Sequence, residues 1–510
     1  MPSQKPNLLL IVVDQLASAF LPAYGHRIVK TPHIDRLARG GVVFEQAYSN
    51  SPLCAPARAI LMTGCLPSRS RVYDNAAEFA STIPTFAHYL RLAGYRTCLS
   101  GKMHFVGPDQ MHGFEERLTT DIYPADFGWT PDWSRPNERI DWWYHNMSSV
   151  KQAGTAEITN QLEYDDEVAF LANRRLYDFA RKPATQPFCL TVSFTHPHDP
   201  YVAREKYWAL YRDEEIDDPA TSAVPYADMD AHSKRLHDAS AMADFAITRD
   251  DIKRSRHGYY ANISYIDDLV GGLLQTLQTC GMAGNTIVVL TSDHGDFLGE
   301  RGLFYKMSFR EHAAHVPMIF HCPARFSARR VAAPVSLADM LPTLVDLATP
   351  GDSGRLAMPV DGRSLAGALA GGELDDAPVL GEYLAEAVGA PMHMIRHDRW
   401  KFIRCGSDPD QLFDLAADPA ENANLANSTG HAAVAEKFSA QISARFDVAA
   451  IARAVLESQQ ARLAVFKALG KGHLFPWDYQ PLRAASEQYT RNHKDVTETD
   501  VTSRYPLFQG

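Results

Sequence analysis

The feature that most constrains the fold is a set of short apolar runs, each followed by charged or polar residues. The run Leu8–Val13 ends at Asp14. The β-branched run Thr286–Thr291 ends just before Asp293 and His294. Runs of this length are typical of strands in a parallel sheet that is covered on both faces. Because open α/β sheets bind ligands at the carboxyl ends of their strands, these runs predict a site at one edge of a sheet.

Two further runs follow the same rule. Thr97–Ser100 precedes Lys102 and His104, and Phe188–Phe194 precedes a segment with His196 and His198. Helical patterns such as 83–93 alternate with the strands, which is typical of a doubly wound sheet. We therefore predict an α/β fold with a large, doubly wound mixed sheet flanked by helices.

The 510-residue chain is long enough for two domains. We predict a catalytic domain over 1–374 and a smaller α+β domain over 375–510. In the smaller domain, the pattern predicts strands at 400–404 and 411–415 and helices at 432–446 and 451–469. The apolar faces of these helices are expected to be core or subunit interface. The tail from 495 to 504 has too few apolar residues to pack alone, so we expect it to be ordered against another surface, its own or a neighbouring subunit's.

Composition excludes several classes of protein. A formal charge of -11 without a long basic run argues against nucleic acid as a partner. No apolar stretch is long enough to span a membrane, and Asp14 follows the first strand where a signal peptide would have a cleavage site. The seven cysteines are scattered and odd in number, which favours reduced thiols in a cytoplasmic protein.

Cys54 is predicted to lie at the start of a helix. Pro56 is tolerated in a first helical turn, and the residues after it have helical spacing. A helix N-terminus favours an anion there, and Arg58 is one turn further on, on the same face. The alternative is a buried small hydrophobe at Cys54 with a surface charge at Arg58.

The segment from Cys54 to Gly64 resembles the motif of type I sulfatases. Further motifs follow in family order at 338–344, 361–365 and 411–422. The chain from about Asn7 to Leu425 is therefore similar to the sulfatase branch of the alkaline phosphatase superfamily. The resemblance implies that a dedicated formylglycine-generating enzyme oxidises Cys54 to Cα-formylglycine.

The resemblance also implies a site for one divalent metal ion. Its ligands would be Asp14, Gln15, Asp293, His294 and the modified Cys54. Carboxylate-rich coordination favours Ca²⁺, with Mg²⁺ or Mn²⁺ as alternatives. Gln15 stands where arylsulfatases commonly carry an Asp, which predicts weaker metal binding. Asp296 is a reserve ligand, expected to act behind the direct ligands.

The implied reaction is hydrolysis of a sulfate monoester. A hydrated formylglycine at position 54, a gem-diol fixed by Arg58, would attack sulfur, and His104 would act as the base when sulfate is expelled. Lys102 and Lys306 would bind the sulfate oxygens. His198, rather than His196, matches the family's acid for the leaving group.

An aromatic-rich stretch from Asp121 to Asn146 raises the question of which ester is cleaved. Its rings are Tyr123, Phe127, Trp129, Trp133, Trp142, Trp143, Tyr144 and His145. Such rings are either a packed insertion or a binding site for a quaternary ammonium group. Segment 69–79, the Asp141-Trp142 region and the ends of the last segment, 489–493 and 505–506, look like choline sulfatases in particular.

This narrower resemblance implies choline O-sulfate as substrate. The predicted substrate-binding residues are Asn75, Tyr123, Trp129, His145, Glu386 and Asp500. Glu386, with Glu382 close behind, is a candidate counter-charge for the cation, and the alternative for both is a solvated helix face. Asp500 would reach the substrate if the tail is ordered against the site. Choline sulfatases are cytoplasmic, and we expect a homo-oligomer, a dimer or tetramer.

Other functions stay open at this point. A phosphonate monoester or phosphate diester hydrolase, or an arylsulfatase, would share most of these residues. A protein with an unconverted Cys54 could instead bind a quaternary amine without catalysis. A binder, however, has no use for Lys102, His104, His198 and Lys306 together.

Overall fold

The strands form one large sheet and two smaller ones in the structure, a computed structural model that describes residues 5–135, 145–181, 186–406 and 408–471. The strands in these ranges are β1 (Asn7–Val13), β2 (Val42–Tyr48), β3 (Arg96–Gly101), β4 (Glu116–Arg117), β5 (Gly154–Thr155), β6 (Phe188–Phe194), β7 (Val202–Ala203), β8 (Thr286–Thr291), β9 (His315–His321), β10 (Arg329–Val331), β11 (Val335–Ser336), β12 (Val379–Tyr383), β13 (Met392–His397), β14 (Trp400–Cys405) and β15 (Gln411–Asp414).

The large sheet is mixed, and its centre is parallel. Its order is β10-β2-β9-β8-β1-β6-β3-β4, with β11 also beside β2. β8, β1, β6 and β3 are consecutive parallel neighbours, whereas β9 is antiparallel to both of its neighbours. The carboxyl ends of four strands therefore meet at one edge, as the sequence predicts.

Helices lie on both faces of this sheet. The α-helices of the described residues are α1 (Pro32–Gly40), α2 (Cys54–Thr63), α3 (Pro67–Ser70), α4 (Phe86–Leu92), α5 (Ser148–Lys151), α6 (Asn160–Arg181), α7 (Glu205–Trp208), α8 (Ala231–Ala239), α9 (Arg249–Thr279), α10 (Glu311–Ala314), α11 (Met340–Ala348), α12 (Ala366–Leu369), α13 (Ala432–Arg445) and α14 (Val448–Leu469). Among the described residues, no helix combines the length and apolar character needed to cross a membrane.

The central strand β1 divides the core in two. Leu9, Ile11 and Val13 pack in one cluster with residues of α6 and α9. Leu8, Leu10 and Val12 pack in the other with residues of α2, α4 and α11. Alternate side chains of a strand point to opposite faces, so a run of apolar residues without alternation is what this two-faced burial requires. The predicted α/β fold is confirmed.

The C-terminal part adds an antiparallel sheet, β12-β13-β14-β15. Ile395, Phe402 and Leu412 from this sheet pack with Phe438 and Ile442 of α13 in a small core. The described residues belong to one compact unit, Met1–Trp477, and the second unit, Asp478–Gly510, lies outside them. The predicted boundary at residue 375 falls just before β12 and stays a prediction.

Two helix starts differ from the predicted ones because of capping. The helix predicted from 83 begins at Phe86, since Thr85 and His88 bond to each other as a capping pair. The helix predicted from 451 begins at Val448, because the Asp447 carboxylate accepts the N–H of Ala450 at 2.9 Å.

Candidate active site

The four parallel strands deliver the site residues to a common edge. Asp14 and Gln15 follow β1, and Lys102 and His104 follow β3. His198 and Asp199 follow β6, and Asp293 and His294 follow β8. The sequence predicts all of these positions except Asp199, and every one of these side chains is buried.

Cys54 is the first residue of α2, as its motif predicts, and is 1% exposed. Its Sγ lies 3.3 Å from Nε2 of His294 and 3.7 Å from Nζ of Lys102. Burial raises the pKa of the Cys54 thiol, but Lys102, Lys306 and His294 outweigh burial and bring the pKa well below its ordinary value. The position thus favours an anionic or electron-rich group.

A group of four metal-ligating side chains surrounds this position. One ligand atom from each of Asp14, Cys54, Asp293 and His294 lies within 4.8 Å of the others. Oδ1 of Asp14 has no hydrogen-bond partner among the described residues, and it lies 3.7 Å from Nε2 of His294. Two carboxylates and an imidazole in this arrangement fit a divalent cation.

Arg58 is completely buried one turn along α2, so the surface-charge alternative is wrong. Its Nε donates to Oδ2 of Asp293 at 2.8 Å, and its Nη2 lies 3.5 Å from Oδ2 of Asp14. Its Nη1 donates to the Ser193 hydroxyl at 2.8 Å. The guanidinium therefore compensates the two carboxylates and fixes their orientation.

Gln15 has a left-handed backbone, with φ of 61°. Its N–H donates to Oδ1 of Asp293 at 3.0 Å, and Tyr259 donates to its carbonyl at 2.5 Å. Its side-chain amide donates to Asp296 at 2.6 Å, while its side-chain oxygen accepts from Nζ of Lys306 at 2.5 Å. The backbone of Gln15 thus contacts the metal-ligating group, whereas its side chain bonds to Asp296 and Lys306.

Asp296, the reserve ligand, is engaged on both oxygens. Oδ2 accepts from Gln15 and from the hydroxyl of Tyr201 at 2.8 Å. Oδ1 accepts the N–H groups of Leu298 and Tyr305 at 2.8 and 2.9 Å. These bonds support a role behind the direct ligands.

His198 contacts a buried lysine and a buried carboxylate. Nζ of Lys306 lies 2.8 Å from its Nε2, and Oδ1 of Asp199 lies 3.2 Å from its Nδ1. Burial raises the pKa of Asp199, but His198, His145 and Lys306 outweigh it, so the net pKa is below the usual range. Asp199 is therefore ionised at neutral pH, and both its carboxylate and its backbone carbonyl lie beside Nδ1 of His198.

His196 contacts Asp165 rather than Lys306 or Asp199, the partners of His198. Its Nδ1 lies 2.7 Å from Oδ2 of Asp165, which also accepts the N–H of His196 at 2.9 Å. Asp165 and His196 thus brace the loop that carries His198. This arrangement supports His198 over His196 as the proton donor.

His104 and Lys102 complete the group around Cys54. Lys102 forms an ion pair with Asp14, and its Nζ lies 3.9 Å from the centre of the Tyr123 ring. His104 has a left-handed backbone, with φ of 54°, and its N–H donates to Asp121 at 2.9 Å. The His104 side chain is 2% exposed and contributes to lowering the pKa of Cys54.

Aromatic rings form one wall beside these groups. Trp129 lies 5.5 Å from Tyr123 and 5.7 Å from His104, measured between ring centres. His145 lies 5.4 Å from His198 and 4.8 Å from Tyr305, and burial lowers its pKa to about 4. Phe127 and Trp133 are buried. Trp142, Trp143, Tyr144 and the Asp141 region lie outside the described residues.

The helix-face alternative for Glu382 and Glu386 is wrong. Glu382 lies in strand β12, is fully buried and accepts the N–H of Ser68 at 2.6 Å. Glu386 follows that strand and is 6% exposed, and neither carboxylate oxygen has a hydrogen-bond partner in the described part of the chain. An ionised carboxylate without a partner is costly in the interior, and burial raises the pKa of Glu386 well above its ordinary value.

Two other predicted substrate-binding residues are Asn75 and Asp500, and the structure describes only Asn75. Oδ1 of Asn75 accepts the N–H of Ala55 at 2.9 Å, so its side chain caps the start of the Cys54 helix. Asp500 lies outside the described residues, as do segments 489–493 and 505–506.

Sequence reasoning missed four residues of this region. Asp199, Tyr305 and Tyr383 contact or neighbour site groups, and Asp74 forms a buried ion pair with Arg462. Asp199 could have been found from its place beside His198. The pairing of Asp74 with Arg462 spans 388 positions, and no local pattern indicates it.

Fold and site together define an enzyme that acts on an anionic ester. The sulfatase family matches residues 6–350. Two further families match the C-terminal part of the chain, "N-sulphoglucosamine sulphohydrolase, C-terminal" at 299–447, which overlaps the first match, and "Choline sulfatase enzyme C terminal" at 453–505. The chain belongs to the sulfatase family.

Individual relatives agree with this assignment. The chain is 52% identical to the choline-sulfatase of Rhizobium meliloti, over 99% of each protein. It is 29% identical to arylsulfatase K of Gallus gallus, over 83% of this chain and 79% of the other. The phosphonate monoester hydrolase of Agrobacterium radiobacter has a similar structure, with a TM-score of 0.68 and 25% identity over 86% of this chain and 95% of the other.

Proposed function

We propose that this sulfatase hydrolyses choline O-sulfate to choline and sulfate. The observation that carries the proposal is the buried carboxyl group of Glu386, which has no hydrogen-bond partner in the described part of the chain, near a site that holds Lys102, Lys306 and Arg58. A substrate with a cationic head and a sulfate group would match both. The 52% identity to the choline-sulfatase of Rhizobium meliloti supports the same substrate.

The proposed nucleophile is Cys54 after conversion to formylglycine by a formylglycine-generating enzyme. A hydrated formylglycine supplies one hydroxyl to attack sulfur and a second whose loss of a proton later expels sulfate. Arg58 would orient this diol, because its guanidinium lies one turn away on the same helix. His104 would take the proton of the second hydroxyl.

The proposed metal ligands are Asp14, Asp293, His294 and position 54, with Gln15 at the margin of the group. A divalent ion there supplies charge that stabilises sulfate oxygens and lowers the pKa of the nucleophile. Two carboxylates favour Ca²⁺, and Mg²⁺ and Mn²⁺ are the alternatives. The Gln15 side-chain oxygen already accepts from Lys306, so we expect it to contribute little to affinity.

The remaining polar groups would bind sulfate and supply a proton. Lys102 and Lys306 carry ammonium groups that both lower the pKa of Cys54, and they would neutralise non-bridging oxygens. His198 would protonate the oxygen that leaves with choline as the sulfur–oxygen bond breaks. An alcohol is a poor leaving group, so this proton contributes much of the rate.

The trimethylammonium group of choline O-sulfate would bind between Glu386 and the aromatic rings near Trp129. Trp129 would face the cation together with Tyr123, whose ring also carries the ammonium group of Lys102, and His145 is neutral at physiological pH because of its low pKa. Glu386 supplies a negative charge, and Asn75 shapes the pocket by capping the Cys54 helix. Asp500 from the tail would add a second negative charge.

Steady-state kinetics test this proposal directly. Choline O-sulfate, 4-nitrophenyl sulfate and a phenylphosphonate monoester would be compared on one preparation, with Cys54→Ala as the inactive control. We expect the largest kcat/KM for choline O-sulfate. A larger kcat/KM for the phosphonate ester would favour a phosphonate monoester hydrolase, and one for the aryl ester would favour an arylsulfatase. Choline binding without turnover of any ester would favour a binding protein.

The proposed setting is a cytoplasmic homo-oligomer. All seven cysteines are free, which supports a reducing compartment. We propose that the catalytic domain covers 1–374 and that the domain over 375–510 carries the tail to a neighbouring subunit.

A further inference from the structure

Helix α14 carries two buried polar side chains on one face. Gln459 is 1% exposed and Arg462 is 5% exposed. Residues three apart on a helix are neighbours on its surface, so both side chains meet the same part of the protein. The apolar stripe of this helix predicts only packing, and these two residues interrupt it.

Arg462 binds the turn at Asp74, which follows α3 and lies beside the start of the Cys54 helix. Its two terminal nitrogens each donate to one carboxylate oxygen of Asp74 at 2.7 Å. The next residue, Asn75, accepts the N–H of Ala55 at 2.9 Å. Only Asp74 and Asn75 therefore separate the guanidinium from the start of the helix that carries position 54.

The same helix also holds the aromatic segment. Nη1 of Arg462 donates to the Thr130 hydroxyl at 3.1 Å, next to Trp129. The Gln459 side-chain oxygen accepts the N–H of Trp133 at 2.8 Å. The Trp133 indole in turn donates to the carbonyl of Ala385 at 2.7 Å, directly before Glu386.

The ion pair between Arg462 and Asp74 also makes one of two neighbouring carboxyl groups, that of Asp74, unavailable to a ligand. Asp74 is fully buried and lies close enough to contribute to the raised pKa of Glu386. Arg462 occupies both oxygens of Asp74, whereas both oxygens of Glu386 lack a partner in the described ranges. Of these two carboxyl groups, Glu386 is therefore the one that can bind a cation.

We propose that Arg462 is a positioning residue for substrate specificity. From a helix outside the cation pocket it holds the Asp74 turn and the segment of Trp129, while Gln459 on the same helix holds Trp133 and, through it, the segment of Glu386. The inference rests on the proposed function, since it assigns the residue to recognition of the cationic head. Arg462 touches neither the substrate nor the reacting atoms.

The test compares Arg462→Met with Arg462→Lys and with the exposed Arg453→Met on the same helix. In Arg462→Met we expect KM for choline O-sulfate to rise about tenfold, equivalent to about 1.4 kcal/mol, the scale of a charge-assisted pair. kcat/KM for 4-nitrophenyl sulfate should change less than about threefold. Arg462→Lys should recover part of the loss, because lysine keeps the charge without the bidentate geometry.

Binding of choline, measured by calorimetry, gives a readout that does not need turnover. Arg462→Met should bind choline about tenfold more weakly, and the double variant Asp74→Asn with Arg462→Met should stay folded by circular dichroism and show the same weak binding. Two results would overturn the inference and leave the proposed function intact. One is that Arg462→Met has the same choline affinity and the same KM as Arg453→Met. The other is that Arg462→Met loses kcat/KM equally for choline O-sulfate and 4-nitrophenyl sulfate. A wild-type protein that neither hydrolyses choline O-sulfate nor binds choline would overturn the proposed function and the inference together.

Discussion

The buried charges of the site compensate one another residue by residue. Asp14 and Asp293 would be costly in the interior, but Arg58 and Lys102 contact them directly. The network raises the pKa of Arg58 and keeps the pKa of Asp14 below its usual range, although burial opposes both shifts. Removing one partner leaves an uncompensated charge, so single substitutions here should affect folding as well as catalysis.

Substitution of Trp129 tests whether an aromatic ring binds the cationic group of the substrate. Trp129→Ala should raise KM for choline O-sulfate about tenfold or more, because a cation–π contact contributes about 1 kcal/mol when exposed and about 2 kcal/mol when desolvated. KM for the neutral 4-nitrophenyl sulfate should rise less. Steady-state kinetics with both esters checks this, with Trp208→Phe in helix α7 as control. Equal increases for the two esters would remove the cation–π proposal.

Glu386 should make substrate binding depend on pH. Burial raises the pKa of this carboxyl well above its ordinary value, so the protonated form persists to higher pH in the free enzyme. The cation prefers the ionised form, and KM for choline O-sulfate should therefore fall as pH rises through this raised pKa.

The pH dependence of KM in two variants checks this expectation. Glu386→Gln should show a high KM without that pH dependence, while the exposed Glu436→Gln should behave as wild type. Because the raised pKa also means that ionisation destabilises the folded state, Glu386→Gln should unfold at a higher temperature at neutral pH. An unchanged KM profile in Glu386→Gln would contradict the role.

At the residue scale, the sequence predicts the groups that belong to contiguous motifs. Cys54 and Arg58 share one helix turn, and Asp293 and His294 follow an unmistakable strand. Glu386 shows the limit, since its local pattern suggested a solvated helix face and only the tertiary structure buries it. Arg462 shows the same limit, because its partner lies 388 positions away.

Among the secondary-structure elements, the sequence predicts those strands of the large sheet whose side chains are buried on both faces. Phe188–Phe194 and Thr286–Thr291 have the predicted bounds, since continuous apolar runs occur only where both faces are covered. The pattern did not predict β2, which carries Glu45 and Gln46, or the antiparallel β9. It also did not predict the 31-residue helix α9, in which buried polar residues interrupt the apolar periodicity.

The contact between α9 and α1 should depend on pH. Asp267 of α9 accepts the N–H groups of His33 and Ile34 at the start of α1, and burial raises its pKa from 3.8 to about 7. The folded state thus binds a proton that the unfolded state releases in this range, so stability should fall as pH rises from about 4 to about 7.

Asp267→Asn removes this titration and keeps one acceptor. The melting temperature of the wild type relative to this variant should decrease over the same pH window, by an amount that corresponds to on the order of 1 kcal/mol or more. The exposed Asp244→Asn serves as control. A difference between wild type and Asp267→Asn that stays constant with pH would contradict the assignment.

For the whole molecule, metal binding should contribute to stability. A chelator should lower the melting temperature by several degrees and added Ca²⁺ should restore it, since a ligand that binds the folded state stabilises it. Asp14→Asn should reduce this response. Scanning calorimetry needs no substrate, and a melting temperature insensitive to both chelator and Ca²⁺ would argue against a metal among these ligands.

The tail and the predicted domain arrangement are tested by truncation after Tyr489. We expect a smaller oligomer in light scattering and a loss of choline O-sulfate turnover larger than the loss with 4-nitrophenyl sulfate. Sequence patterns indicate that the tail cannot pack alone, but they do not specify its partner surface. An unchanged oligomer with unchanged turnover would discard the role of Asp500.

The most direct test of the central claim is mass spectrometry of the peptide that contains Cys54, from protein made in its own host. We predict the loss of mass that accompanies conversion of the thiol to an aldehyde, in a preparation that hydrolyses choline O-sulfate. An unmodified thiol in an active preparation would contradict the formylglycine nucleophile.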